Sequence, residues 1–569
     1  MAERSGQGSA KQAPGDPSLR PIADVASSLG LVQDEVISYG PAKAKVSLAA
    51  LARRAADPLG RYILVTAINP TPLGEGKTTT AIGLAMGLSR LGHRAAVTLR
   101  QPSLGPVFGV KGGGAGGGRT QVLPLADVNL HLTGDSHAVA SAHNLLSALV
   151  DNHLFHGNAV GLDPAGMLWP RVMGLSDRAL RRVRLAGAGG SVDRDGEFIL
   201  TEASEVMAIL ALAKDLSDLR ARLGRILVGF TTDGRPVTAD DLHAAGAMAV
   251  LLRDALHPNL VQTSEGTPAF VHAGPFGNIA HGNCSVVADL LALRLADYVV
   301  TEAGFGSELG AEKFVHIKCR ASGLKPDAAV VVATVRALKL HGSGQVVKAG
   351  EPLPASLTGP NREALRKGLA NLAQHVANVK AFGMPAVVAI NAFPDDSEEE
   401  LEEVRDWALS SGAVGAAVTR HFMEGGKGAE ALAEAVVAAC RHPARITPLY
   451  TDEMPVKQKI ERVATRLYGA AGVSYEPEAD RKIALAERLG FGRFPVCMAK
   501  TPLSLSHDAA LKGRPMGFTL PIKDLRILAG AGFLTAVCAG MQLMPGLPSK
   551  PSADRIDLDP ATGEITGLF

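Results

Sequence analysis

Little in this chain would suit it to a membrane, a nucleic acid or an oxidising compartment. Its 569 residues contain no uninterrupted apolar run of about 18 residues and no signal-peptide core near Met1. Net charge is only +2, without a strong basic block, which excludes an electrostatic footprint for nucleic acid or an anionic membrane. The cluster Arg178, Arg181, Arg182 and Arg184 has helical spacing but no interleaved aromatics, and reads as a solvated helix face. Cysteine is scarce: Cys284, Cys319, Cys440, Cys497 and Cys538 form no CxxC pair and no even framework. That pattern suits a reducing compartment, with the thiols buried as small hydrophobes, and predicts a cytoplasmic protein. Aromatics make up only 4%. What is abundant is apolar content, 46%, and glycine, 63 residues, as a large α/β enzyme with many tight strand–helix turns requires.

The most informative stretch runs from Asn69 to Thr80. An apolar run, Tyr62 to Ile68, precedes it and reads as a buried parallel strand; an apolar stripe of Ile82, Ala85, Met86, Leu88 and Leu91 follows and stops at Gly92. Strand, glycine turn, Gly-Lys-Thr and helix form the context of a phosphate-binding loop. Backbone N–H groups there face phosphates, Lys77 offsets the β/γ charge, and the Thr78 hydroxyl can ligate Mg²⁺. Thr71 stands where the usual pattern has its first glycine, while Gly74 and Gly76 keep the tight turn possible. The expected nucleotide loop comprises Thr71, Pro72, Leu73, Gly74, Glu75, Gly76, Lys77 and Thr78.

Strand-like and helical runs alternate along the chain, which predicts an α/β fold: a mostly parallel sheet containing the phosphate loop, helices on both faces, and smaller α/β lobes. Further strands are expected at Ala95–Leu99, Ile226–Phe230, Tyr298–Val300, Ala386–Ile390 and Val414–Val418. The acidic run Asp395–Glu403 should open a solvated helix. The expected division is a loose tail at 1–20, a phosphate-loop domain at 21–370, a second α/β domain at 371–480 contributing to the substrate site, and a small loop-rich lobe at 481–569.

Ligands of such sheets bind beyond the carboxyl ends of the strands. Arg100 ends the strand after the phosphate-loop helix, where its planar fork can clamp a small anion. Glu302 follows Tyr298–Val300 and can order the Mg²⁺ shell. Phe393 and Phe422 follow two later strands and can stack a flat heterocycle. Lys111–Arg119, nearly all glycine between its charged ends, reads as a loop that lets backbone approach a ligand. Asp135 either caps the helix that begins there or faces the phosphate pocket. Five histidines crowd residues 129–158, but only His153 and His156 share a helix face, which argues against a zinc site.

The motifs resemble those of the formate–tetrahydrofolate ligase (10-formyltetrahydrofolate synthetase) family, monofunctional bacterial type. The likeness is carried by Thr71–Thr78, Leu99–Gly113, Asn129–Asp135, Ser141–Asn144, Gln262–Pro268, His272–Gly282, Glu302–Gly306, Leu309–Phe314, Pro495–Lys500, Met544–Pro548 and Ile565–Phe569. It implies ATP-dependent joining of formate to the N10 amine of tetrahydrofolate through formyl phosphate. It implies Lys77, Arg100 and Asp135 as catalytic residues, with Arg100 holding formate in line with the γ-phosphate and Asp135 relaying the amine proton. Gln101, Phe393 and Phe422 would contact the folate, the two rings sandwiching the pterin, and Thr78 and Glu302 would serve Mg²⁺. A homotetramer and a monovalent cation, K⁺ or NH₄⁺, are implied as well.

Two positions depart from the family pattern. Gln101 stands where the family often has Glu and cannot act as a base; Phe422 stands where it often has Trp and offers less area and no indole N–H. A nucleotide-hydrolysing switch fits less well, because Asn391–Asp395 lacks the Lys and spacing of a guanine-reading Asn-Lys-x-Asp. A dethiobiotin-synthetase-like ligase shares strand, loop and helix, but not the length of this chain.

Overall fold

The computed structural model describes residues 19–72, 74–111, 114–186, 193–345, 347, 353–538 and 542–568. The expected tail at 1–20 lies almost wholly outside them, as do Leu73 of the phosphate loop, Gly112, Gly113 and the terminal Phe569.

Alternate residues of the apolar runs belong to two different cores, one on each face of a single sheet. In the strand Arg61–Ala67, Tyr62 and Leu64 join one cluster, and Ile63, Val65 and Ala67 the other. The strands Ala328–Ala333 and Ala386–Asn391 divide in the same way. A strand buried on both faces has no polar side to show, which is why these segments read as unbroken apolar runs.

Twelve strands make this sheet: β1 (Val36–Ser38), β2 (Ala44–Val46), β3 (Arg61–Ala67), β4 (Ala95–Leu99), β5 (Gly116–Gly117), β6 (Thr120–Leu123), β7 (Asn259–Thr263), β8 (Pro268–Val271), β9 (Tyr298–Glu302), β10 (Ala328–Ala333), β11 (Ala386–Asn391) and β12 (Gly415–Thr419). Their order is β1-β2-β7-β8-β4-β9-β3-β10-β11-β12, with the β5–β6 hairpin attached through β6 to β7. From β8 to β12 every pairing is parallel; β1, β2 and β7 add an antiparallel margin.

The helices that matter here are α1 (Lys77–Arg90), α2 (Asp135–Phe155), α3 (Glu205–Leu212), α4 (Arg362–Ala381), α5 (Glu398–Ser410) and α6 (Glu430–Ala439). One sheet face buries Ile82, Leu84, Ala85, Met86 and Leu88 of α1 with Leu432 and Val436 of α6. The other buries Leu365, Leu369, Leu372, Val376 and Val379 of α4. The acidic run does open a helix: the Ser397 side chain accepts the Glu400 N–H to start α5, whose carboxylates suit the positive end of the helix.

Three expectations change. The segment expected at Ile226–Phe230 forms a strand at Leu227–Phe230, but it pairs antiparallel with Pro236–Thr238 in a separate two-stranded ribbon. The border expected at 370/371 falls inside α4, and β11 and β12 beyond it extend the main sheet. The arginine cluster is no helix face: Arg178–Arg181 is a short 3-10 turn, Arg178 donates to the Leu547 carbonyl, and Arg181 Nε donates to the Met544 carbonyl at 2.8 Å. All five cysteines are buried and unpaired. Among the described residues no helix is long and apolar enough to cross a membrane.

Candidate functional site

The turn between β3 and α1 depends on two left-handed glycines, Gly74 (φ 72°) and Gly76 (φ 71°). At Gly76 a side chain would be strained by φ and would also meet Asn391 Nδ2 at 3.1 Å. Glu75 turns inward, and its Oε1 accepts the Thr71 N–H at 2.8 Å. Asn391, the last residue of β11, donates to the Glu75 carbonyl at 2.7 Å and accepts the Thr419 hydroxyl at 2.7 Å. The loop is therefore braced from its outer side, leaving the N-terminal turn of α1 as the place where an anion meets backbone N–H groups.

β9 lies between β3 and β4, so its carboxyl end separates the phosphate loop from Arg100. Glu302 ends that strand and is 4% exposed. Its Oε2 accepts the Thr78 hydroxyl at 2.7 Å, and its Oε1 lies 3.5 Å from Arg100 Nη2. Arg100 Nη1 also donates to the Pro275 carbonyl at 3.3 Å. Lys77, Thr78, Glu302 and Arg100 thus share one stretch of the carboxyl edge. These residue types fit a magnesium–triphosphate: the Thr78 hydroxyl and the Glu302 carboxylate offer oxygen ligands for the metal, and Lys77 and Arg100 offer positive charge for the phosphates.

Gln101 is 4% exposed, donates its N–H to the Ala273 carbonyl at 2.7 Å, and leaves Oε1 without a protein partner. Asp135 is the first residue of α2 and is 2% exposed. Its oxygens receive Lys45 Nζ at 2.8 and 3.0 Å, Asn259 Nδ2 at 2.7 Å and the Thr133 hydroxyl at 3.4 Å. The helix is capped by Gly134 rather than by a side chain. The structure therefore gives Asp135 to a buried ion pair beside β2 and β7. Burial pulls the Lys45 ammonium below its usual range, and Asp135 acts against that pull.

Phe393 and Phe422 follow the paired strand ends Asn391 and Thr419 and are 37% and 53% exposed. The Arg336 guanidinium lies 4.1 Å from the centre of the Phe393 ring. Of the described glycines of the expected ligand loop, Gly116 and Gly117 form β5, and Gly117 and Gly118 approach Phe422: a Cβ on Gly117 would lie 3.0 Å from its ring, and one on Gly118 2.2 Å from its carbonyl. In strand order Phe393 follows β11, across β3 and its loop from Arg100, whereas Phe422 lies against the β5–β6 hairpin, which joins the sheet at β7 on the Arg100 side.

Several participants escaped the sequence. Asn69, just ahead of the loop, donates to Glu308 Oε1 at 2.8 Å and to the Pro502 carbonyl at 3.1 Å, and accepts from Asn371 at 2.9 Å. His375 Nε2 accepts the Asn69 N–H at 3.0 Å, and Lys500, fully buried, lies 3.5 Å from Glu308. Glu202, 2% exposed, sits beside Gly274 and leaves Oε2 unpartnered. Its one signal is position: a carboxylate just ahead of Ser204, the cap of the wholly buried helix α3.

A family model described as formate–tetrahydrofolate ligase matches residues 10–569. The formate–tetrahydrofolate ligase of Roseiflexus sp. (strain RS-1) is 56% identical over 553 residues, covering 97% of this chain and 98% of that protein. That of Saccharopolyspora erythraea is 54% identical over 553 residues, covering 97% of each. That of Paracoccus denitrificans is 55% identical over 551 residues, covering 96% of this chain and 98% of its own.

Proposed function

This chain belongs to the formate–tetrahydrofolate ligase family, and from that premise we propose how its residues divide the reaction. It is an ATP-dependent ligase that joins formate to tetrahydrofolate. The observation that carries the division of labour is the continuous contact from Thr78 through Glu302 to Arg100.

In this reading the phosphate loop holds the triphosphate and Lys77 offsets charge on its β and γ groups. Arg100 binds formate beside the γ-phosphate. Formate oxygen attacks the γ-phosphorus, ADP leaves, and formyl phosphate forms. Holding both anions in line is the main contribution, since positioning and charge stabilisation dominate phosphoryl transfer. Thr78 and Glu302 would hold Mg²⁺, which when bound neutralises phosphate charge. The folate amine then attacks the formyl carbon, the carbon–oxygen bond to phosphate breaks, and the amine proton is lost. Asp135, engaged by Lys45, supports the β2–β7 side of the site as a positioning residue.

Gln101 and the exposed rings of Phe393 and Phe422 are read as folate contacts. A second reading has a specific support: in strand order β3 and its phosphate loop lie between Arg100 and Phe393. A nucleotide with its γ-phosphate toward Arg100 points its base the other way, so the Phe393 ring also suits adenine. A homotetramer, activation by K⁺ or NH₄⁺, and a cytoplasmic setting complete the proposal; sedimentation and turnover with each cation test the first two.

The deciding assay follows ADP and folate product in the same samples, with Mg-ATP and with formate and tetrahydrofolate added singly and together. Both products should rise together only when both substrates are present. ADP formation indifferent to formate would overturn the assignment of Arg100.

A further inference from the structure

Formyl transfer releases a proton from the folate amine, and the obvious acceptors beside Arg100 are occupied or unsuited. Gln101 is an amide. Glu302 is engaged by Thr78 and Arg100, and Asp135 by Lys45, Asn259 and Thr133. His281 is fully buried with neither ring nitrogen partnered, and burial together with nearby cations pulls it well below the usual imidazole range, which makes it a weak base.

Glu202 remains. Its carbonyl accepts the Phe276 N–H at 3.0 Å, next to Pro275, whose carbonyl accepts from Arg100. A Cβ at Gly274 would lie 3.6 Å from Glu202 Cγ and 2.7 Å from the Gln101 carbonyl, so Glu202 and the Arg100–Gln101 strand end meet across one glycine. Oε2 is buried without a partner, as is the Ser103 hydroxyl. Ser136, half-buried in the first turn of α2, is the second hydroxyl within its influence.

We propose that Glu202 accepts the proton released in formyl transfer, reached through the hydroxyls of Ser103 and Ser136. The inference rests on the formyl phosphate reading above. As the nitrogen lone pair forms the carbon–nitrogen bond and phosphate leaves with the carbon–oxygen electrons, the N–H proton passes to a serine oxygen while that serine's proton passes to Glu202. The product is neutral amide, phosphate and a protonated Glu202, which later returns the proton to water.

The electrostatics suit that task. Burial raises the Glu202 carboxyl to about 7, opposed by the Ser103 and Ser136 hydroxyls. A carboxyl near that value both accepts and releases a proton at neutral pH. The charged or titratable neighbours on the elements around it are Arg100 past β4, Asp135 on α2, Glu205 on α3 and His281 in the following loop. Glu205 is likewise raised to about 7 by burial, but its Oε1 accepts the Gly530 and Ala531 N–H groups at 2.7 and 3.1 Å, so it serves as an internal control.

The test compares the parent with Glu202→Gln, Glu205→Gln and Ser136→Ala, each first checked by thermal melting. Turnover is followed from pH 5.5 to 9, with positional isotope exchange of ATP in formate alone. Glu202→Gln should slow product formation about 10²-fold and abolish the acidic limb near pH 7, yet leave isotope exchange intact. Glu205→Gln should keep that limb, and Ser136→Ala should move it to higher pH by removing a hydroxyl that favours the carboxylate. A Glu202→Gln turnover within about twofold of the parent, or an acidic limb that persists in that variant, overturns the proposal. Should Glu202→Gln fail to fold, the limb in Ser136→Ala decides: an unmoved limb overturns it. Absence of isotope exchange in the parent would instead overturn the formyl phosphate reading, with Glu202 still judged by the limb.

Discussion

The Thr78 hydroxyl donates to Glu302 Oε2 at 2.7 Å, joining the first turn of α1 to the last residue of β9. The bond spans 224 residues of sequence yet only two neighbouring strands. In the proposed reaction these are the two oxygen groups that would hold the metal beside the phosphates.

Glu302→Gln keeps the size of the side chain and removes its charge. The Mg²⁺ concentration for half-maximal turnover should rise about tenfold, with less effect at saturating metal. A titration of turnover against Mg²⁺ at fixed ATP checks this; an unchanged midpoint would separate Glu302 from the metal.

Arg100→Lys retains charge but loses the planar fork, which a carboxylate or phosphate engages in two places. Turnover should fall by about 10²-fold, with the formate KM raised and ATP binding in the absence of formate nearly unchanged. Steady-state kinetics with each substrate varied, beside equilibrium nucleotide binding, would show the split.

Asp135→Ala removes the partner of a buried ammonium and should destabilise the protein by about 3–5 kcal/mol. Pairing it with Lys45→Met should recover much of that loss. Denaturant unfolding of the single and double variants measures the recovery, and a stable single variant would contradict the buried pair.

Phe393→Ala distinguishes the two readings of the exposed rings. Loss of one stacking face costs about 0.5–1.5 kcal/mol, so a KM rises roughly two- to tenfold. If it is the folate KM, the Phe393 ring holds pterin; if it is the ATP KM, it holds adenine.

Glu202 and Glu205 should each withdraw stability as pH rises from about 4.5 toward 7, opposing the gain that the buried histidines His143, His272, His341 and His421, all pulled below the usual imidazole range, contribute over the same window. Glu202 and Glu205 both have folded-state values near 7, above the ordinary 4.5, so the folded state binds their protons more tightly across that window. Glu205→Gln should remove its share of that loss, so that stability rises more steeply with pH than in the parent. Melting temperatures between pH 5 and 8 give the answer, and a slope unchanged in the variant would count against a buried, raised carboxyl at this position.

The central strands were legible because burial on both faces leaves a continuous apolar run: β4 occupies Ala95–Leu99 as expected, and β3, β11 and β12 lie within a residue or two of expectation. β10 was not singled out, since a run of alanine and valine between helical segments carries no period that separates strand from helix. Leu227–Phe230 has strand character, but its partner is set by long-range packing, which no local pattern encodes. The phosphate loop is local, so its residues could be named from spacing alone. Lys45 and Asp135 lie 90 residues apart, and Glu202 meets the Arg100 strand through Gly274; such pairings exist only once the sheet has assembled.

The ties on Asn69 bear on when a nascent chain acquires its nucleotide site. The residue entering the phosphate loop is held by Glu308, Asn371, His375 and the Pro502 carbonyl. Part of that support emerges from the ribosome more than four hundred residues after the loop itself. Closing so long a stretch of chain is slow, so β3 and α1 can form early while the entrance to the loop waits for the last lobe. Competence for ATP would then arrive late in biosynthesis, as a by-product of finishing the fold.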